Sequence, residues 1–598
     1  MTTTIPTIPE TAPFTAEQRQ WLNGFLAGLF STGAAVETQA GSGRNAAPVK
    51  TLLVLYGSQT GTAEGLAKKT AKEAAKCGFA AKLLCMEQHE SVDLASAGNV
   101  LVITSTYGDG DPPDNAQAFW SYLSGENAPR LGAVHFAVLA LGDTNYQAFC
   151  EFGKKCDARF EALGGRRIHA RVDCDLDYEE PARAWTEAVL AALAALPEDS
   201  TRVSLAATSN AESIARNASP ELESGYSRKR PFPARLLANR LLNAPGSAKE
   251  VRHYEISLEG SGLEYEVGDA LGVMPSNCPA LVADLLTALG CDGEEAVPLP
   301  EGGETSLRLA LAQHYDITKP SSELLKAVAE HSGDGEFQAL LLDSSRRDDL
   351  KKWLWGREII DVLAKATLPF APVDFVVLLK KLQPRLYSIS SSPKAHPGEV
   401  HLTVAAVRYE AHGRSRKGVC STFLADRAGE NGKAPVFVQT SHGFRLPGDG
   451  TVPLIMVGPG TGIAPFRAFL EERQASGAQG RNWLFFGDQK RETDYLYREE
   501  LEAMSTGGHL SRLDLAFSRD QAEKIYVQTR MLEAAAELWA WLEQGAHFYV
   551  CGDAGRMAKD VDAALHQVAE TAGRLSKEKA AEYIAAMRTA KRYQRDVY

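Results

Sequence analysis

Hydrophobic and polar positions along this chain change their period twice. From 50 to 197, apolar runs ("TLLVLYG", "VLVITST", "FAVLALG") alternate with segments of helical spacing. Continuous apolar runs of that kind predict strands covered on both faces, hence an α/β domain with a mainly parallel sheet. The stretch "PEDSTRVSLAATSNAESIARNASPELESGYSRKR" carries much Ser, Ala, Asn and Glu and little periodicity, so 198–230 reads as a flexible linker. From 231 to 447 the segments are short and β-like, with a helical stretch inserted at about 276–372. From 448 to 598 strand and helix alternate again, starting at "VPLIMVG". The two α/β blocks share no motif, so they are not copies of one another. Ahead of them, Thr15 and Gln18 form a capping-box pattern before "WLNGFLAGLF", in which Trp21, Phe25 and Leu29 share a helical face. Residues 1–48 therefore predict a docking or oligomerisation segment, a helix packed on its own chain, or a frayed end.

Composition narrows this picture. A chain of 598 residues exceeds one hydrophobic core, and 44% hydrophobic with 23% charged residues is ordinary for a soluble protein. The formal charge of -12 argues against a general nucleic-acid binder. Nine cysteines without a C-x-x-C pair suggest reduced thiols in the cytoplasm. The start "MTTTIPTIPETAP" lacks the basic and apolar regions of a signal peptide, and no apolar run reaches the roughly 20 residues of a membrane span.

Three groups of residues carry candidate chemistry. In "LYGSQTGTAEGLAKK" a strand passes through a loop into a helix. Ser58, Gln59, Thr60, Gly61, Thr62 and Ala63 offer hydroxyls and amides at a helix N-terminus, an anion site without the lysine of a triphosphatase loop. Two further loops follow strands: "TSTYGDGDPPDN", with Ser105, Thr106, Tyr107 and Gly108, and "LGDTNYQAFC", from Leu141, Gly142, Asp143, Thr144, Asn145, Tyr146 and Gln147 to Ala148, Phe149 and Cys150. Ligands of open α/β sheets lie beyond the carboxyl ends of the strands, where Tyr107 and Tyr146 suit a flat ring. Asp109, Asp111, Asp114 and "DCDLDYEE" form either a field that meets a basic partner or a solvated acidic face.

These three loops, in this order, resemble a flavodoxin domain, which implies FMN. "QPRLYSISSSP" resembles the R-x-Y-S signature of ferredoxin-NADP reductase-like FAD domains. The resemblance implies Arg385 on the FAD pyrophosphate, Tyr387 against the isoalloxazine and Ser388 near its reactive nitrogen, with Leu386 between them. It adds Thr403, Val404, Ala405 and Tyr409 from "HLTVAAVRYE", Gly418, Val419, Cys420 and Ser421 from "RKGVCSTFLADR", and Thr318. "IMVGPGTGIAPFRAFLEER" is similar to the NADP pyrophosphate turn of the same family, with Gly460 and Thr461. "LAFSRDQAEKIYVQ" supplies Ser518, Arg519, Lys524, Ile525, Tyr526, Val527 and Gln528, cations and hydroxyls suited to a ribose 2′-phosphate; Asp560 matches a further NADP contact. By the same resemblance Ser388, Cys551 and Asp596 form the hydride-transfer set, and the terminal Tyr598 stacks on the flavin.

The chain is thus identified as a member of the diflavin reductase family. That implies a multidomain α/β plus β-barrel fold: flavodoxin-like, then a ferredoxin-NADP reductase-like FAD barrel with a helical insert, then Rossmann-like. It also implies electron flow from NADPH to FAD to FMN to a metal centre. The N-terminal helix and "RYQRDVY" resemble the flavoprotein components of bacterial NADPH-sulfite reductases. This implies a sirohaem, iron–sulfur beta-component as partner, oligomerisation through the N-terminal segment, and a role in cysteine biosynthesis. The tyrosine of "STYGDGDPPDN" keeps a soluble haem-monooxygenase reductase open as the alternative.

Overall fold

The computed structural model describes residues 50–598 apart from 59–60, 108–109, 126, 144–147, 176–177, 197–224, 344–345, 368, 430–431 and 442. The expected N-terminal helix and most of the expected linker lie outside the described residues.

The first sheet is built from β1 (Lys50–Gly57), β2 (Phe79–Cys85), β3 (Asn99–Ser105), β4 (His135–Leu141), β5 (Arg166–Arg167) and β6 (Val172–Cys174). Its order is β2-β1-β3-β4-β5, with β6 also on β4, and every pairing is parallel. β4 is buried along its whole length because helices cover both faces. One face packs Phe119, Phe136 and Phe160; the other packs Trp185, Val189 and Leu193 from the helix Glu179–Ala194. β1, β3 and β4 are parallel neighbours, so Ser58, Ser105 and Gly142 leave the same end of the sheet.

β7 (Phe232–Leu241), β8 (Val251–Ser257) and β9 (Ala270–Val273) begin a second, antiparallel sheet. Between β9 and its continuation lie the helices Pro279–Leu289, Leu307–Gln313, Ser322–Glu330, Gly335–Leu342, Arg347–Leu354, Ile359–Leu363 and Pro372–Val376. Two small ladders accompany them, β10 (Ala296–Pro298) with β11 (Glu304–Ser306), and β12 (Tyr315–Asp316) with β13 (Lys380–Lys381). This insert has its own core, around Leu285, Leu311, Val328 and Phe375. β14 (Arg385–Ser388), β15 (Glu399–Ala405) and β18 (Lys433–Gln439) complete the sheet in the order β14-β9-β18-β7-β8-β15, while β16 (Arg408–Ala411) and β17 (Arg414–Lys417) form a hairpin beside it. A single antiparallel bridge, Ile389 to Leu402, joins its two ends and closes it into a barrel.

β19 (Leu454–Val457), β20 (Asn482–Asp488), β21 (Arg512–Phe517), β22 (His547–Gly552) and β23 (Tyr593–Val597) form the third sheet, parallel throughout, in the order β21-β20-β19-β22-β23.

A buried polar seam binds barrel to third sheet. Arg467, 7% exposed, donates to the Ser390 carbonyl at 2.7 Å and pairs with Glu471 at 2.8 Å and Glu500 at 2.7 Å. The Tyr497 hydroxyl joins Thr403 Oγ1 at 2.6 Å and His253 Nδ1 at 2.8 Å. Burial, aided by Arg467, pushes the His401 imidazole down to about 3 and that of His253 down to about 2. Both are therefore neutral when folded. The unfolded chain takes protons near the ordinary imidazole value of 6.5, and the folded chain takes none until the pH is far lower. Stability is complete above that value and is lost as the pH falls below it. Thermal melts taken from about pH 7 to about pH 5 are expected to show a falling Tm, and His401→Gln to flatten the slope.

Candidate functional site

A cavity of about 790 Å³ opens where the barrel, the helical insert and the third sheet meet. β14 brings Arg385, Leu386, Tyr387 and Ser388 to its wall; β15 brings Thr403, Val404 and Ala405. Tyr409, Gly418, Val419, Cys420 and Ser421 come from the hairpin and the turn after it, Thr318 from the insert, and Tyr598 from the end of the chain. Every residue expected around FAD thus lines one cavity.

The local chemistry of that wall follows from burial. Tyr387 is pushed well above the usual tyrosine value by burial, with Cys420 beside it. The Cys420 thiol is pushed up to about 11, also by burial, and donates to the Val273 carbonyl at 3.7 Å, so it stays protonated at neutral pH. Thr318 spends its hydroxyl on Asp316 at 2.6 Å, and Thr403 spends its own on Tyr497. Gly418 marks the tight turn: a Cβ there would stand 2.6 Å from Ser421 Oγ and 2.8 Å from Val407 Cβ. The wall therefore offers a long apolar slot with an aromatic hydroxyl, a guanidinium and a glycine turn, which fits a dinucleotide of FAD size.

At the mouth of the cavity, Ser388 Oγ donates to Asp596 Oδ2 at 2.7 Å. The Cys551 thiol donates to the same oxygen at 3.8 Å. Cys551 faces Asp596 because β22 and β23 run parallel with these two residues in register. Burial raises Asp596 above the usual carboxylate value, against the two donors that lower it. Burial first, and then the Asp596 charge, raise Cys551 well above an ordinary thiol, so it is a proton donor and not a thiolate nucleophile. Gly462 presses on this group: its Cβ would stand 2.1 Å from the Cys551 carbonyl oxygen.

Tyr598 is tied down at three points. Its amide donates to the Gly552 carbonyl at 3.0 Å, its carbonyl accepts from Ala554 at 3.1 Å, and its hydroxyl meets Thr461 Oγ1 at 2.8 Å. The ring stays half exposed over the cavity. Gly460, at φ 58, and Thr461 follow β19. Beyond β21, Ser518 donates to the Asp488 carbonyl at 3.3 Å, and Gln528 donates to Asp560 at 3.2 Å. Arg519, Lys524 and Tyr526 are exposed, Ile525 is half-buried, and Val527 is buried with only its main chain left for a ligand.

In the first sheet, the Ser58 amide donates to Asn115 at 2.9 Å and its hydroxyl accepts from the Gly61 amide at 3.0 Å. Gly61, at φ 90, opens the helix Thr62–Lys76. Thr106 Oγ1 accepts from the Phe152 amide at 3.1 Å. The Tyr107 hydroxyl is buried without a hydrogen-bond partner among the described residues, and burial lifts it to about 12. Gly142 must be small, since a Cβ would stand 2.7 Å from the Cys150 amide. Ala63, Leu141 and Cys150 bury their side chains in the core, leaving their main chain to the loops. Ser105 ends β3, Asp143 follows β4, and Ala148 and Phe149 lie in the turn before the helix Glu151–Ala162. Gln59, Thr60, Gly108, Asp109, Thr144, Asn145, Tyr146 and Gln147 fall outside the described residues. Among the described residues, two hydroxyl-bearing loops, the glycine turns at Gly61 and Gly142 and a helix N-terminus fit a flavin mononucleotide phosphate and ring.

The sequence reading missed several cavity residues. Trp355, 66% exposed, stands 6.1 Å from the Tyr409 ring, and Lys319 and Arg357 come from the same insert, whose helical periodicity gives no sign of them. Arg416, buried and paired with Glu358 at 2.9 Å and Asp361 at 2.7 Å, was findable two positions before Gly418.

Three family models match the chain in turn: flavodoxin over residues 54–185, FAD binding domain over 224–423 and oxidoreductase NAD-binding domain over 456–563. Together with the cavity they define a diflavin reductase, with FMN in the first part, FAD in the second and NADPH in the third. The chain is 47% identical over 592 residues to the sulfite reductase [NADPH] flavoprotein alpha-component of Bacillus subtilis, covering 98% of this chain and 96% of that one. It is 43% identical over 584 residues to the protein so named in Vibrio cholerae (98% and 93% covered) and 43% over 591 residues to that of Neisseria meningitidis serogroup C (98% and 95%). This chain belongs to the family of sulfite reductase [NADPH] flavoprotein alpha-components.

Gly418→Ala is expected to weaken FAD binding by about tenfold to a hundredfold, because the new methyl must displace Ser421 or Val407. Flavin extraction and FAD titration of the purified variant measure it.

Proposed function

We propose that the chain is the flavoprotein component of an assimilatory NADPH-sulfite reductase of the EC 1.8.1.2 type, taking hydride from NADPH and delivering electrons to a sirohaem, iron–sulfur beta-component that reduces sulfite to sulfide. The observation that carries this reading is the meeting of Ser388, Cys551 and Asp596 at a dinucleotide-sized cavity, in a chain similar over nearly its whole length to alpha-components. All relatives cited carry that name, which favours this reading over a haem-monooxygenase reductase. Residues 1–48 serve assembly, 50–197 bind FMN, 198–230 link, 231–447 bind FAD with the insert at 276–372, and 448–598 bind NADPH. The protein works in the cytoplasm; no helix among the described residues is long and apolar enough to cross a membrane.

Each residue has a physical task. Gly460 and Thr461 let the main chain approach the NADPH pyrophosphate. Ser518, Arg519, Lys524 and Tyr526 present hydroxyls and cations to the 2′-phosphate, with Ile525, Val527, Gln528 and Asp560 completing that face. Tyr598, on the cavity wall, would lie against the FAD ring and would have to yield to a nicotinamide. Asp596 supplies negative charge where positive charge develops as hydride leaves. Ser388 and Cys551 hold that carboxylate in place and exclude water from it. Arg385 faces the FAD pyrophosphate, Tyr387 the ring. Ser58 and Thr62 would hold the FMN phosphate, with the Gly61 amide fixing the Ser58 hydroxyl, and Tyr107 would serve its ring. Bound flavins supply the chemistry that splits a two-electron hydride into single electrons.

Asp596→Asn is expected to slow FAD reduction by NADPH about a hundredfold, read by stopped-flow absorbance. Because Asp596 is raised above the ordinary carboxylate value, the wild-type rate falls on acidification at a pH above 3.8. The Asn variant lacks that limb.

The partner is tested by capturing the tagged full-length protein from its native lysate and recording the visible spectrum of the eluate. A co-eluting sirohaem protein, lost on deleting residues 1–48, is expected. A flavin-only eluate overturns the sulfite reductase assignment.

A further inference from the structure

β23 does more than carry Asp596. The residue before it, Arg595, places its guanidinium 5.5 Å from the centre of the Tyr107 ring, across from the first sheet's ligand loops. After burial, the Arg595 and Asp596 charges are the main influences on the Tyr107 hydroxyl, the first lowering and the second raising it. The FMN-side loop and the hydride-side strand therefore touch directly.

Two other contacts cross the same boundary. Lys559 pairs with Asp111 at 3.3 Å, with both side chains about half exposed (60% and 46%). Thr589 Oγ1 donates to Glu87 at 3.0 Å on the exposed surface. Exposed pairs of this kind hold little and are screened by salt. A cation over an aromatic ring gains strength as it is desolvated, and Arg595 is half-buried. Of the three contacts, the Arg595–Tyr107 pair has the physical means to set the geometry.

We propose that Arg595 is a positioning residue for electron transfer between the flavins: its guanidinium docks the Tyr107 loop against the strand that carries Asp596 and so fixes the approach of the FMN site to the FAD cavity. The step it serves makes and breaks no bond between the flavins. Each electron leaving reduced FAD arrives on oxidised FMN, and protons at the flavin nitrogens exchange with solvent. The inference rests on the reading that FMN lies against Tyr107.

The test uses the full-length protein and two substitutions, Arg595→Met and Arg595→Lys. The first readout needs no turnover: zero-length carbodiimide coupling of Lys559 to Asp111, mapped by peptide mass. The second is the rate of FMN reduction after NADPH is mixed with the flavin-loaded protein, set against the rate of FAD reduction. Arg595→Met is expected to lower the cross-link yield and slow FMN reduction about tenfold, while FAD reduction changes far less. Arg595→Lys, which keeps a cation over the ring, is expected to recover much of both, and Arg595→Gln takes the place of the Met variant if that one does not fold. An unchanged cross-link and an unchanged ratio of the two rates overturn the proposal. So does an equal loss of both rates, which would mean that Arg595 merely orders β23. Wild-type protein that holds FAD but no FMN would instead overturn the reading beneath it.

Discussion

The parallel pairing of β23 on β22 is the constraint on which the working parts depend. It sets Cys551 opposite Asp596 and carries the chain end across to the cavity. A sheet edge is an unusual place for a chemical group, since edge strands fray unless held. Here Tyr593 is buried in the core of the third sheet, and Tyr598 is clasped by main-chain bonds to Gly552 and Ala554. Those ties convert the last residues of the chain from a tail into a wall shared by two domains.

A carboxylate in that wall is costly. Asp596 is pushed upward by burial, and among the described residues the Ser388 hydroxyl and the Cys551 thiol offset the loss of water. Its partners come from strands of different sheets, β14 and β22. The group therefore exists only while barrel and third sheet are docked. Arg467, Glu471, Glu500 and Tyr497 maintain that docking with charges and hydroxyls that are largely buried and mutually satisfied. Loss of one partner would strand another in low dielectric, so the seam resists opening.

Much of this was legible in the sequence, for identifiable reasons. Strands such as "VLVITST" declared themselves because both faces are covered, and the ligand loops because glycines and hydroxyls follow each strand. The residues expected around FAD were readable as a set because "RLYS" and "RKGVCS" are local motifs, and they line one cavity. Other features left no local trace. Closure of the barrel rests on one bridge, Ile389 to Leu402, between residues with no pattern of their own. Arg467 reads as the polar side of a helix, yet it is buried, because its partners lie on other elements. Trp355 and Lys319 reach the cavity from an insert whose periodicity reports only its private core.

The two boundaries of the molecule differ in kind, and the difference suits a relay. The barrel meets the third sheet through buried, interlocked polar groups. Among the described residues, the first sheet meets β23 and its neighbours through the exposed Lys559–Asp111 and Thr589–Glu87 pairs and the Arg595 guanidinium over the Tyr107 ring. The first boundary must persist, because the hydride group is assembled from both sides of it. The second is held by fewer and more exposed contacts. Asp111, expected from sequence to meet a basic partner or lie solvated, meets Lys559 of its own chain. At the acidic edge itself the Lys559–Asp111 pair is weak and salt-screened. Lability there is a consequence of exposure, just as permanence at the seam is a consequence of burial.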